Sequence, residues 1–200
     1  EIYNHRELGK ELQHNFKFRG HSDTEVAAAA FEQWGFTASL KKFTGMFSFA
    51  VWDRNERALY LARDRVGEKP LYFGFSNGLF IFASELAAAR AQPDGEWTIN
   101  RNALASLMRH NYIADPHCIY ESFHKLLPGH WIRVHDQRSA EHCTPIPYWS
   151  IGDTVTARFD QQSFRSIDDA ADALQQLMSK SLNDQMIADV PLGAFLSGGI

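Results

Sequence analysis

Cysteine is scarce in this chain of 200 residues: there are two, Cys118 and Cys143. They form neither a disulfide framework nor a CxxC metal pair, and two thiols in a chain of this size suit a reducing compartment. The nine histidines do not change that reading. His110, His117, Cys118 and His124 lack the spacing of zinc ligands such as HExxH or CxxC, so they read as solvated or core side chains. Basic charge is not in excess: 20 Lys and Arg stand against 24 Asp and Glu, a net charge of -4. That balance argues against a nucleic-acid surface, which carries a basic patch or stripe. No charge run is long enough to act as a tail. No run of about 18 apolar residues occurs, nor any charged-then-apolar leader, so no membrane span or secretory leader is marked. The expectation is a cytoplasmic protein with no nucleic-acid or membrane partner.

What the chain does have is a core. Hydrophobic residues make up 44% and aromatics 13%, enough for one large domain or for one domain and part of another. Charged residues are 22% and well mixed, so disorder is not expected. The chain opens at Glu1 inside a patterned segment and stops at Ile200 after a glycine pair, and it reads as an internal stretch of something longer.

Local patterns then divide it. Phe16 and Phe18 suggest a short strand ending at Gly20. Ser22 or Asp23 would cap a helix through Val26, Ala27, Ala30, Phe31 and Trp34, closed by Gly35. From Gly45 to Ser84 the period is two. A strand through Phe47, Phe49 and Val51 turns at Asp53–Glu56 and returns through Leu59–Ala62. Pro70–Phe75 and Leu79–Ala83 flank Ser76-Asn77-Gly78, where Asn-Gly favours a tight hairpin. Leu79–Ala83 is apolar on both faces, as in a sheet covered on both sides. Short helices are expected over Glu85–Arg90 and Arg101–His110, and a strand over Trp131–Val134 after the Pro128-Gly129 turn. Residues 136–165 are polar and irregular and form the linker candidate. Ser166 with Asp169 then opens a helix whose Ala170, Leu174, Leu177, Met178 and Leu182 share one face. An apolar strand from Val190 to Leu196 runs into Ser197-Gly198-Gly199, an order in which nucleotide-binding α/β domains commonly begin.

Three segments could carry chemistry. Ser197-Gly198-Gly199 after an apolar strand lets backbone N–H groups approach a phosphate closely, or it is an ordinary strand-end turn. In Gly20-His21-Ser22-Asp23-Thr24-Glu25 a carboxylate at a turn into a helix could hold a ligand ammonium, or could simply be the helix cap. Arg63–Tyr72 is charge-dense between two apolar strands, and it lines an active-site mouth or is a salt-bridged loop.

In order along the chain, Glu1-Ile2-Tyr3-Asn4-His5, Gly20–Glu25, Gly45–Asp53 with Ala62–Tyr72 and Ala83-Ser84-Glu85, and Asp189–Ile200 resemble segments of the asparagine synthetase family, which are class II glutamine amidotransferases. The resemblance covers essentially the whole chain. It implies an α+β fold: an Ntn-type four-layer αββα sandwich, the glutaminase, followed by the start of an α/β adenine-nucleotide α-hydrolase-like domain. The boundaries would be a glutamine amidotransferase domain over 1–148, a linker over 149–165, and the opening of an ATP-binding synthetase domain over 166–200. It also implies a two-site ligase. An N-terminal Cys thiolate attacks the glutamine carboxamide, ammonia passes to a second site, and there ATP and Mg2+ activate aspartate as β-aspartyl-adenylate, giving asparagine, glutamate, AMP and pyrophosphate.

Carried onto this sequence, the resemblance makes Glu1 and Asp23 glutamine-binding, with Asp23 pairing with the α-ammonium. It makes Leu196, Ser197, Gly198 and Gly199 ATP-binding. It implies glutamine, aspartate and ATP as partners and leaves homodimerisation open. No catalytic residue falls on these positions, because the nucleophilic Cys and the oxyanion Asn and Gly would precede Glu1, and a metal-binding Asp would follow Ile200. By itself the stretch is therefore expected to catalyse neither half-reaction. Two alternatives share the residues: a paralogous amidotransferase acting on a sugar or secondary-metabolite carboxylate, and a non-catalytic Ntn-fold module.

Overall fold

The computed structural model describes residues 1–93, 95–135, 143–159, 164–188 and 190–193. It divides into two compact units, Glu1–Gly45 with Val155–Ile200, and Met46–Thr154.

The first unit is helical. It begins with α1 (His5–Leu12), α2 (Asp23–Trp34) and α3 (Phe36–Lys42), and α2 packs on both of the others. Four consecutive alanines, Ala27–Ala30, favour helix. Ser22 caps the start of α2, its hydroxyl accepting the Thr24 N–H at 3.1 Å. Gly35, with φ 79°, ends it, in a conformation that glycine adopts without a Cβ penalty. The buried face comprises Val26, Ala27, Ala29 and Ala30, with Leu8, Leu12, Leu40 and Phe43 closing the core. Each fully buried leucine contributes about 2 kcal/mol. Phe31 stacks on Phe36 at 4.9 Å and meets Phe43 edge-on at 5.5 Å.

Two of these helices, α1 and α3, were not anticipated from the sequence. The strand expected at Phe16–Phe18 is absent. The Phe16 N–H turns back to the Leu12 carbonyl at 3.0 Å, so it continues the last turn of α1 and joins no sheet.

The second unit holds two antiparallel sheets. In the first, β1 (Ser48–Asp53), β2 (Ala58–Arg63), β6 (His130–Val134) and β7 (Ile146–Pro147) lie in that order. In the second the order is β4 (Leu79–Ala83), β3 (Tyr72–Ser76), β5 (Phe123–Lys125). The β1–β2 turn is organised by Asp53, whose Oδ1 accepts the N–H groups of Asn55 and Glu56. Asn77 and Gly78 both have positive φ, 51° and 73°, as the expected tight hairpin requires.

The sheets share a core in which Leu61, Ile132 and Val134 of one meet Leu71, Phe73 and Leu126 of the other side. Strand alternation sends Tyr72, Ile81 and Ala83 to the opposite face of β3–β4. There they meet Phe123, Cys118, Trp97 and Ala89 of α4 (Leu86–Ala89). A fifth helix, α5 (Arg101–His110), starts at Asn100, whose Oδ1 accepts from both Asn102 and Ala103.

β4 is an edge strand whose two faces are both partly covered, Phe80 packing on the shared core and Ile81 and Ala83 on the opposite one, while Leu79 and Phe82 are each 39% exposed. The strand buried on both faces is β2, because it lies inside its sheet with the shared core on one side. And β5, only Phe-His-Lys, carries no alternation visible in sequence.

Residues 151–159, within the stretch expected to be irregular, form α6 (Ile151–Phe159). Its first turn is held by Ser150, whose carbonyl accepts the Thr154 N–H and hydroxyl at 3.1 and 2.8 Å. Next comes α7 (Ile167–Gln185), capped by Ser166 on the Asp169 N–H at 3.1 Å as its sequence implied. Its apolar stripe, Leu174, Leu177, Met178 and Leu182, is exposed. Of the strand expected from Val190 to Leu196, residues 190–193 show no strand pairing, and Ala194, Phe195 and Leu196 lie outside the described residues. No helix among the described residues is long and apolar enough to cross a membrane.

Candidate functional site: an acidic helix start against the opening segment

Asp23 is the first residue of α2, and the N-cap role falls to Ser22. The Asp23 carboxylate is therefore not consumed by capping. Its Oδ2 accepts the Ile2 N–H at 2.9 Å, and its Oδ1 accepts the Thr24 hydroxyl at 3.3 Å. The backbone nitrogen of Glu1 lies 3.9 Å from Oδ2. The two residues that sequence reasoning singled out, separated by 22 positions, are thus brought together. A carboxylate offers roughly four lone-pair sites, so two bonds leave capacity for a further cationic donor.

The electrostatics favour the ionised form. Partial burial opposes it, but the Ile2 N–H and the Thr24 N–H and hydroxyl favour the carboxylate and hold the Asp23 carboxyl below the usual aspartate value. Asp23 remains 28% exposed, so this charge is reachable from solvent.

Glu25 closes the turn from the other side. Its carboxylate accepts the N–H groups of Arg19 and Gly20 at 2.8 and 2.9 Å. These bonds, with the charges of Arg19 and His21, hold its pKa below the usual glutamate value. A glutamate three residues after the cap commonly bonds back to the cap residue's own N–H. Here it reaches further and fastens the loop that leads into Asp23.

The charge-dense loop after β2 is fastened from below by two buried residues, Arg63 and Asp64, while Val66, Glu68 and Lys69 are exposed. Asp64 is fully buried, and its carboxylate accepts the N–H groups of Phe47, Glu68 and Lys69. The Arg63 guanidinium donates to the carbonyls of Lys69, Gly67 and Leu126 and pairs with Asp115 at 2.9 Å. Of its two sequence readings, the salt-bridged loop is the one these bonds describe.

Neither cysteine is set up as a nucleophile. Burial raises the Cys118 thiol despite N–H bonds from Tyr120 and Ile119, and burial raises the Cys143 thiol as well, so both stay protonated at neutral pH. No group of three His, Cys, Asp or Glu side chains gathers as a metal site among the described residues. Leu196, Ser197, Gly198 and Gly199 lie outside the described residues.

Sequence reasoning gave no role to Asn4 or Gly45, which fasten the Glu1–Tyr3 segment. Their partners are some forty residues away, and no local pattern announces such a pairing.

Paired antiparallel sheets with flanking helices are the architecture of Ntn-type glutamine amidotransferases. The solved glutamine phosphoribosylpyrophosphate amidotransferase from B. subtilis, complexed with ADP and GMP, is similar over 74% of this chain and 27% of its own, with a TM-score of 0.51 at 19% identity. A structure described as the allosteric regulatory enzyme of purine biosynthesis gives 0.52 at 20%. The glutamine amidotransferase domain family matches residues 1–149, and asparagine synthase matches residues 173–200. The chain belongs to the glutamine amidotransferase domain family. Among curated relatives, asparagine synthetase [glutamine-hydrolyzing] 1 of Bacillus subtilis is 33% identical over the whole chain, which spans 30% of that protein. Amidase chry2 of Gibberella zeae is 29% identical, again over the whole chain, which spans 28% of it. The chain thus spans less than a third of these relatives.

Proposed function

We propose that this chain is part of an ATP-dependent, glutamine-hydrolysing asparagine synthetase, a carbon–nitrogen ligase of amino-acid biosynthesis acting in the cytoplasm. Residues 1–148 serve as the glutaminase domain, 149–165 as the link, and 166–200 as the opening of the ATP-using domain. The observation that carries the reading is the tandem order: a glutamine amidotransferase match over 1–149 followed by an asparagine synthase match from 173.

In this reading Asp23 takes the α-ammonium of glutamine and Glu1 lines the same pocket. Support comes from the carboxylate at the head of α2, held ionised by the Ile2 and Thr24 donors and open to solvent. An ionised acceptor binds an ammonium about twice as strongly as a neutral one does. Ammonia released there is used at a second site, where ATP and Mg2+ activate aspartate. Leu196, Ser197, Gly198 and Gly199 contribute to the ATP site.

The test is glutamine- and ATP-dependent formation of asparagine from aspartate by the full-length protein, with AMP and pyrophosphate as co-products. A second reading has its own support, since amidases match the same span at similar identity. In it the acceptor is a different carboxylate. Glutamine-dependent ATP cleavage without asparagine formation from aspartate selects that reading and rejects the first.

A further inference from the structure

Asn4 joins two distant stretches of chain by both ends of its side chain. Its Nδ2 donates to the Lys42 carbonyl at 3.0 Å, and its Oδ1 accepts the Thr44 N–H at 3.0 Å. One residue earlier, the Tyr3 N–H donates to the Thr44 carbonyl at 2.8 Å, and Ile2 forms an antiparallel bridge with Gly45. The amide of Asn4 therefore extends this short ladder by one rung, at the point where the backbone leaves it to begin α1.

That use of the side chain is a choice against the local alternative. Asn4 is the N-cap residue of α1, a position where asparagine ordinarily accepts an N–H from the first turn. Here it makes no side-chain cap bond. The acceptor that would have stabilised its own helix is committed to the Thr44 N–H, while the amide nitrogen donates to the Lys42 carbonyl.

Gly45 completes the fit. A Cβ there would stand 2.2 Å from the Glu1 carbonyl oxygen and 3.0 Å from the Tyr3 nitrogen, at a φ of 147°. Only a bare Cα lets the opening segment lie this close. The segment so fixed presents the Ile2 N–H to Asp23 at 2.9 Å and carries Glu1 beside it.

We propose that Asn4 is a positioning residue for the amino-acid pocket: with Gly45 it sets the place of Glu1 relative to Asp23. The inference rests on the reading that Glu1 and Asp23 bind glutamine. Asn4 touches no ligand in it; it acts through the backbone of residues 1–3.

The test uses steady-state glutaminase kinetics of the full-length protein, with thermal unfolding alongside. Asn4→Ala removes both bonds and is expected to raise the glutamine KM roughly tenfold while kcat stays within about twofold. Asn4→Asp keeps the acceptor for the Thr44 N–H and loses the donor to Lys42, and its KM should fall between those of the wild type and Asn4→Ala. A folded Asn4→Ala with the wild-type KM overturns the proposal, as does a lower melting temperature with unchanged kinetics or a fall in kcat at constant KM. Should Asn4→Ala not fold, Asn4→Asp decides: a raised KM supports the role, and a wild-type KM ends it. Asp23→Asn, measured in parallel, separates the two levels. If it leaves the glutamine KM unchanged, the glutamine-pocket reading has failed. If it raises KM and the Asn4 variants do not, only the positioning role has failed.

Discussion

The Tyr148 hydroxyl donates to the Arg63 carbonyl oxygen at 2.9 Å, fastening the residue after β7 to the end of β2. Tyr148 is buried, and so is Arg63. The bond anchors the start of the loop in which Asp64 gathers three backbone N–H groups. Replacing Tyr148 with Phe keeps the ring and removes the donor, and it should cost about 1 kcal/mol in urea-induced unfolding. An unchanged midpoint would show that water replaces the hydroxyl.

Alkaline pH should destabilise the protein through its buried tyrosines. Burial pushes the Tyr148 phenol far up, with Asp64 adding to the shift and Arg65 opposing it. Burial, then the hydrogen bond to Glu56, pushes Tyr60 up to about 12. A raised pKa in the folded state means stability that is complete below the unfolded tyrosine value of about 10 and is lost as pH climbs through the folded values. The unfolding free energy should therefore not change on account of these tyrosines between neutral pH and about 9.5, and should decline from about 10 to 12. The Tyr60→Phe, Tyr148→Phe double variant should decline less steeply; an identical slope would refute the assignment.

Asp64 should be essential to folding. With Ala there, the Phe47, Glu68 and Lys69 N–H groups lose their acceptor inside the protein. The orphaned Phe47 N–H is buried and costs about 1–3 kcal/mol, and the part-buried Glu68 and Lys69 N–H groups add less because water reaches them, so a loss of roughly 3 kcal/mol is expected. Chemical denaturation measures it, and a loss below about 1 kcal/mol would show that the loop does not depend on this carboxylate.

Asp23 should matter for glutamine and depend on acid. Its carboxyl lies below the ordinary value because, against partial burial, the Ile2 and Thr24 donors favour the carboxylate. A lowered pKa contributes stability that is present above the unfolded value of about 3.9 and is lost as pH falls through the folded one. At neutral pH the group is ionised throughout, so glutamine affinity should not vary with pH on its account. Asp23→Asn removes the charge and should raise the glutamine KM of the full-length protein roughly tenfold to a hundredfold. Isothermal titration with glutamine gives the same comparison directly.

Elements with a strong local signal were legible in sequence. The alanine run with Ser22 and Gly35 around it, the Asn77-Gly78 hairpin and the Ser166-capped helix each carry their instruction within a few residues. The misses share a cause. The helices α1 and α3 are short, and β5 has three residues, so periodicity had too few turns to register. Phe16 and Phe18 looked like a strand by residue type, yet the Phe16 N–H found its acceptor in the preceding turn. The edge position of Leu79–Ala83, which leaves Leu79 and Phe82 partly exposed, was not legible because place in a sheet is not a local property.

By itself the sequence determined the alternation of the central strands, the helix starts and stops, and the acidic turn at Gly20–Glu25. Those follow from backbone propensity, side-chain period and capping, which act over a few residues. Only the tertiary structure decided which residue of that turn caps the helix and which keeps its carboxylate for Ile2. It also decided that Asn4 serves residues 42 and 44 in place of its own helix, and that Asp64 is a buried hub. Each of these is a hydrogen-bond partnership between distant segments, and the donor nearest in space is chosen by packing, which the order of residues along the chain does not display.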